Sequence, residues 1–89
     1  VDEPRLEITY RRGRPLAAYY YLPGPADRKS SRSVEFEPGI VVDFARGGRP
    51  LGVEIIDPTT ITVRAMNRVL RKIGAEPLRR EDLGPLLAA

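Results

Sequence analysis

Eighty-nine residues carrying 15 basic and 12 acidic side chains make one domain of net charge +3, with room for a thin core and no deep basin. Cysteine and histidine are both absent. Their absence excludes a disulfide framework, a thiolate nucleophile and a zinc-thiolate site, and it removes the commonest catalytic base and transition-metal ligand. Arg5 to Tyr10 alternates Leu6, Ile8 and Tyr10 against Arg5, Glu7 and Thr9, the period of a half-buried strand. Arg12-Gly13-Arg14-Pro15 then reads as a hairpin connection. Leu16 to Leu22 forms the second strand, with Ala18, Tyr20 and Leu22 on one side and Ala17, Tyr19 and Tyr21 on the other.

The segment 23–32 has turn residues and no apolar period, so it is expected to be a surface loop, with Arg28-Lys29-Ser30-Ser31-Arg32 as its basic part. A third strand is predicted over Ser33 to Ala45. Pro38-Gly39 interrupts it and implies a bend or bulge, or two short strands in place of one. Arg46-Gly47-Gly48-Arg49 is a tight turn, and Leu51 to Ile56 returns with Leu51, Val53 and Ile55 inward.

After Asp57-Pro58 the period changes. Met66, Val69, Leu70 and Ile73 form one helical stripe, with Thr59, Thr60 or Thr62 to cap it and Gly74 to end it. The expected fold is α+β: a four-stranded antiparallel meander over residues 5–56, one long helix over about 59–74 on one face, and a tail over 75–89. Leu83, Leu86 and Leu87 in the tail are available to dock, on their own domain or on a second chain. No run approaches the ~18 apolar residues of a membrane span. Val1 to Arg14 lacks the apolar core of a secretory signal, so a cytoplasmic address is expected.

The run VEFEPGIVVDFARGGRPLGVEIIDP, Val34 to Pro58, together with Ala18-Tyr19-Tyr20-Tyr21-Leu22, resembles small bacterial domains grouped as domain of unknown function family 2283. The resemblance covers roughly residues 8–58, leaving the helix and tail as an extension. It implies no catalytic residue, and an antitoxin-like or accessory role beside a partner protein. Two turns depart from the family's acidic pattern: Arg11-Arg12-Gly13-Arg14 and Ala45-Arg46-Gly47-Gly48.

Charge is unevenly placed. Residues 34–57 hold five acidic and two basic side chains, whereas the flanking segments are basic. By parity, Glu7, Glu35, Glu37, Asp43 and Glu54 face away from the helix, beside Tyr19, Tyr21, Val41 and Ile56. Cross-strand pairing alone accounts for such tyrosines. Aromatics flanked by charge also describe a partner surface, and Tyr19, Tyr21, Glu35, Asp43, Glu54 and Ile56 are the candidate protein-binding residues. A homodimer or a heteromeric partner would cover them.

On the helix, Arg64, Arg68, Arg71 and Lys72 lie opposite the apolar stripe. They read as a solvated face, or as phosphate contacts of a non-specific nucleic-acid binder. Asn67, the one side-chain amide in the chain, shares that helix. Carboxylates on a flat sheet offer neither the cleft that paired acid–base chemistry needs nor a compact cage for a hard cation. No enzyme, cofactor, metal or small-molecule substrate is therefore expected, and a non-catalytic interaction module is the leading expectation.

Overall fold

The computed structural model describes residues 3–24 and 29–87, and within them the strand pattern resolves into five strands: β1 (Arg5–Arg11), β2 (Arg14–Tyr21), β3 (Ser30–Glu37), β4 (Ile40–Ala45) and β5 (Pro50–Ile55). The expected third strand is thus two. Pro38 has no N–H for a ladder, and Gly39 takes a left-handed φ of 79°, so the pair closes a hairpin instead of a bend. At the first turn Arg12 and Gly13 both have positive φ, 53° and 77°, the twist-compatible geometry of a two-residue hairpin. Of the segment predicted as a surface loop, residues 25–28 lie outside the described residues, and Ser30 to Arg32 already belong to β3.

The expected meander is also corrected. The sheet order is β1-β2-β5-β4-β3, all antiparallel, so β2 pairs with β5 instead of β3, a Greek-key order. Composition explains the order. Ala18, Tyr20, Val53, Ile55, Ile40 and Val42 are all buried, and central strands bury most apolar area. The polar start of β3, Ser30-Ser31-Arg32-Ser33, is exposed at an edge, where it discourages pairing with another chain.

The single long helix becomes shorter pieces. Asp57 accepts from the Thr59 N–H (3.1 Å) and hydroxyl (2.6 Å), which holds Pro58–Thr60 in a 3-10 turn. Ile61 and Thr62 are extended, and the Thr62 hydroxyl accepts from the Ala65 N–H at 3.0 Å, capping α1 (Val63–Lys72). Local hydroxyl bonding in a threonine-rich run therefore delays the helix to Val63. Its end follows the sequence: Gly74 has φ 75°, Ala75 N–H bonds to Leu70 C=O and Gly74 N–H to Arg71 C=O, a paired left-handed stop.

Met66, Val69 and Leu70 are fully buried on the inner face of the sheet. The tail docks in cis through a 3-10 turn (Arg80–Leu83) and the one-turn α2 (Gly84–Leu87), which bury Leu78, Leu83 and Leu86 in the same core. The Asn67 side chain fixes that return. Its amide donates to Leu78 C=O (3.1 Å) and its oxygen accepts from Leu78 N–H (2.9 Å).

Candidate protein-interaction face

Register places the outward side chains of all five strands in rows. One row runs Arg5, Tyr21, Gly52, Asp43, Ser33; the next runs Glu7, Tyr19, Glu54, Val41, Glu35. Gly52, in a central strand, makes the first row possible. A Cβ there would lie 2.4 Å from Tyr19 Cε2, so the ring of Tyr19 occupies the space over the glycine. Lying there, Tyr19 donates its hydroxyl to Asp43 Oδ2 at 2.8 Å, and Ser33 donates to Asp43 Oδ1 at 2.5 Å. One carboxylate thereby ties β2, β4 and β3 across the glycine.

The neighbouring aromatic is held from the other edge. Tyr21 meets Tyr19 edge to face at 4.7 Å between centroids, and its hydroxyl donates to Glu7 at 3.3 Å. The Arg5 guanidinium lies 4.6 Å from the Tyr21 ring centre and 3.9 Å from the Glu7 carboxylate. Glu35 accepts from the Gly39 N–H at 3.0 Å, which anchors it at the β3–β4 turn. Glu54 is exposed, and no hydrogen bond or ion pair engages it among the described residues.

Five of the six candidate partner-binding residues, Tyr19, Tyr21, Glu35, Asp43 and Glu54, therefore sit in two adjacent rows. Ile56 lies just past β5, about half exposed, with its N–H bonded to Gly39 C=O at the end of the sheet. Tyr10 and Leu16 are similarly exposed beside the Arg12-Gly13 turn, because the ladder shifts register after Thr9 and Leu16 is left unpaired opposite the bulge.

Glu37 leaves the acidic face. The ladder is irregular between Glu35 and Glu37, and Glu37 forms a two-pronged bond to Arg68 of α1, at 2.7 Å from Nε and 2.8 Å from Nη2. The Arg68 hydrogen bond holds the Glu37 carboxyl below its usual range, and Glu37 raises the guanidinium in turn. The four-residue basic stripe thus keeps Arg64, Arg71 and Lys72 exposed, while Arg68 is engaged. Asn67 is likewise taken by Leu78, so it is not placed to read bases. Among the described residues no group of three or more potential metal-binding side chains comes together.

Sequence reasoning had no signal for an apolar recess of about 320 Å³ at the far end of the inner layer, lined by Pro4, Tyr20, Leu22, Ile73 and Ala75 among others. Tyr20 is buried there, and burial, with Asp82 nearby, raises its hydroxyl's pKa. None of the candidate site residues lines it. Among the described residues, no helix is long and apolar enough to cross a membrane.

The fold and face thus define an α+β domain with helices on one side of a Greek-key sheet and a tyrosine–carboxylate surface on the other. Residues 17–57 match the family model described as Protein of unknown function (DUF2283). The resemblance noted in the strands is therefore present as a family match, spanning nearly all of β2 to β5 and leaving β1, α1 and the tail outside it. No curated protein and no solved structure matches the chain.

Proposed function

We propose that this domain is a non-catalytic protein-interaction module whose outer sheet face binds a partner protein, in an accessory or antitoxin-like role. The observation that carries the reading is the pair of rows centred on Tyr19, Tyr21 and Glu54. Two half-buried tyrosines, Val41 and a central carboxylate with no ion pair among the described residues share a surface opposite the helical layer. Aromatic anchors ringed by polar groups make productive protein contacts, and covering them removes apolar area from water.

A photo-crosslinking residue at Val41, with one at Arg64 on the helix as control, tests this in cells. The expected result is a discrete adduct from position 41 that disappears when Tyr21→Glu is added. Adducts from position 64 alone, or adducts indifferent to Tyr21→Glu, would refute it. The same experiment reports a second copy of the chain as partner by the mass of the adduct.

A nucleic-acid reading retains one supporting observation: Arg64, Arg71 and Lys72 are exposed on α1, and no ion pair engages them among the described residues. Three cations on a short helix suit non-specific, salt-sensitive phosphate contact.

A further inference from the structure

We propose that the tip of the β1–β2 hairpin binds an anionic lipid surface, with Arg11, Arg12 and Arg14 on the phosphate headgroups and Tyr10 and Leu16 entering the layer beneath them. The tip projects from the sheet. β2 pairs with β5 only from Ala18 onward, so Arg14 to Ala17 and the β1 residues opposite them run past the end of the neighbouring strand, by about 13 Å at the usual rise per residue. The tip shares no residue with the candidate partner-binding set, so this inference stands independently of the interaction reading.

Charge at the tip is uncompensated. Residues 8–18 carry three arginines and no acidic side chain. All three are exposed, and no ion pair engages them among the described residues. Arg11 and Arg14 are direct cross-strand partners, and like charges set opposite each other weaken a ladder. Together with Pro15 and Leu16, the three arginines line one shallow recess of about 380 Å³. A phosphate seated there replaces their mutual repulsion with charge-assisted hydrogen bonds.

The apolar neighbours select a membrane over a nucleic acid. Tyr10, Leu16 and Ile56 are the exposed large hydrophobics among the described residues, and all three lie at this end of the sheet. Tyr10 and Leu16 flank the arginines, while Ile56 follows Ile55, the partner of Ala18 at the foot of the hairpin. Aliphatic side chains gain little from a phosphodiester backbone. In a lipid interface they leave water for acyl chains, tyrosine settles at headgroup level, and arginine stems lie along the apolar layer with their charge outward. Binding strength at such an interface sums the apolar area buried and the attraction to anionic lipid, and the tip offers both.

The test sediments the full chain with vesicles of phosphatidylcholine, alone or with about one-third phosphatidylglycerol, at near-physiological salt. Binding should occur on the anionic vesicles only. Combined Arg11→Gln, Arg12→Asn and Arg14→Gln should abolish it, at about fivefold per arginine; asparagine suits the φ of 53° at position 12. Combined Arg46→Gln, Arg49→Gln and Arg80→Gln removes the same charge from exposed positions away from the tip and should leave binding within about threefold. Unchanged melting temperatures check that both variants fold. The chain has no tryptophan, so Leu16→Trp reports on the tip alone. Its emission should shift to the blue on anionic vesicles and be quenched by bromine on the acyl chains. Absence of vesicle binding, equal binding to both vesicle types, equal losses from the two triple substitutions, or a tip tryptophan untouched by brominated chains would each overturn the inference. The last result, with duplex DNA binding lost in the tip variant, would instead assign the arginines to nucleic acid.

Discussion

Replacing Gly52 with alanine asks one question of the outer face: whether the glycine exists to seat Tyr19. Gly52 is not among the glycines with positive φ, so its backbone suits alanine, and in a strand that exchange gains about 0.5–1 kcal/mol in conformational entropy. The new methyl, however, would sit 2.4 Å from Tyr19 Cε2 and 2.6 Å from its hydroxyl oxygen. The ring must swing off the glycine and release Asp43, a half-buried charge-assisted bond worth about 1–2 kcal/mol. Gly52→Ala alone should therefore destabilise by about 0.5–1 kcal/mol. In a Tyr19→Ala background the obstruction is gone, and the same substitution should stabilise by a similar amount. For a domain of this size the sign change is readable as a fall and a rise of about 2–8 °C in melting temperature. Chemical and thermal denaturation of the four variants would measure it. A Gly52→Ala effect of the same sign in both backgrounds would refute the account of the glycine.

Asn67→Ala should cost about 2–4 kcal/mol in urea denaturation, since it strands both backbone groups of buried Leu78; an effect below 1 kcal/mol would mean that the tail is held by Leu83 and Leu86 alone. Because Arg68 depresses the folded pKa of Glu37, the contribution of that pair is present above the unfolded carboxylate value and lost as pH falls through the folded one. Stability measured from pH 6 to pH 2 should fall less steeply in Arg68→Met than in the parent. The raised pKa of Tyr20 acts at the other end: the unfolded phenol ionises first, so stability should drop as pH rises past about 10, and Tyr20→Phe should flatten that drop. If α1 contacts phosphates through Arg64, Arg71 and Lys72, duplex DNA affinity measured by anisotropy should fall with log salt at a slope near −2.7 (about 0.9 per phosphate), and Arg64→Ala with Arg71→Ala should cut that slope by about two-thirds.

Strand positions were readable wherever alternation was clean, and the inward set of β2 and β5 follows directly from Ala18, Tyr20, Val53 and Ile55. The break at Pro38-Gly39 was visible as chemistry, but bulge and hairpin share the same residues there; what separates them is whether Phe36 and Ile40 can both face the core, which depends on the partner strand. Sheet order was not readable, because pairing β2 with β5 is a long-range choice decided by total burial. Parity located Tyr19, Tyr21 and Glu54 correctly and misplaced Glu37, since one irregular step in the ladder redirects a side chain from one layer to another. Arg68 and Asn67 looked available on the helix for the same reason. Their partners, Glu37 and Leu78, come from β3 and from the returning tail, and helical periodicity carries no information about either.

The pairing of β2 with β5 also has a kinetic meaning. Every other ladder in the sheet is a hairpin whose strands are separated by one short turn, so each can form while the rest of the chain is loose. Ala18 to Tyr21 and Gly52 to Ile55 must instead find each other across some thirty residues of intervening chain, and the loop-closure entropy of that step falls on four residue pairs. The β1–β2 hairpin and the β3–β5 unit are accordingly expected to assemble separately and join last, with α1 and the tail closing over the join. Amide exchange under mild denaturant should then open the sheet first along that line.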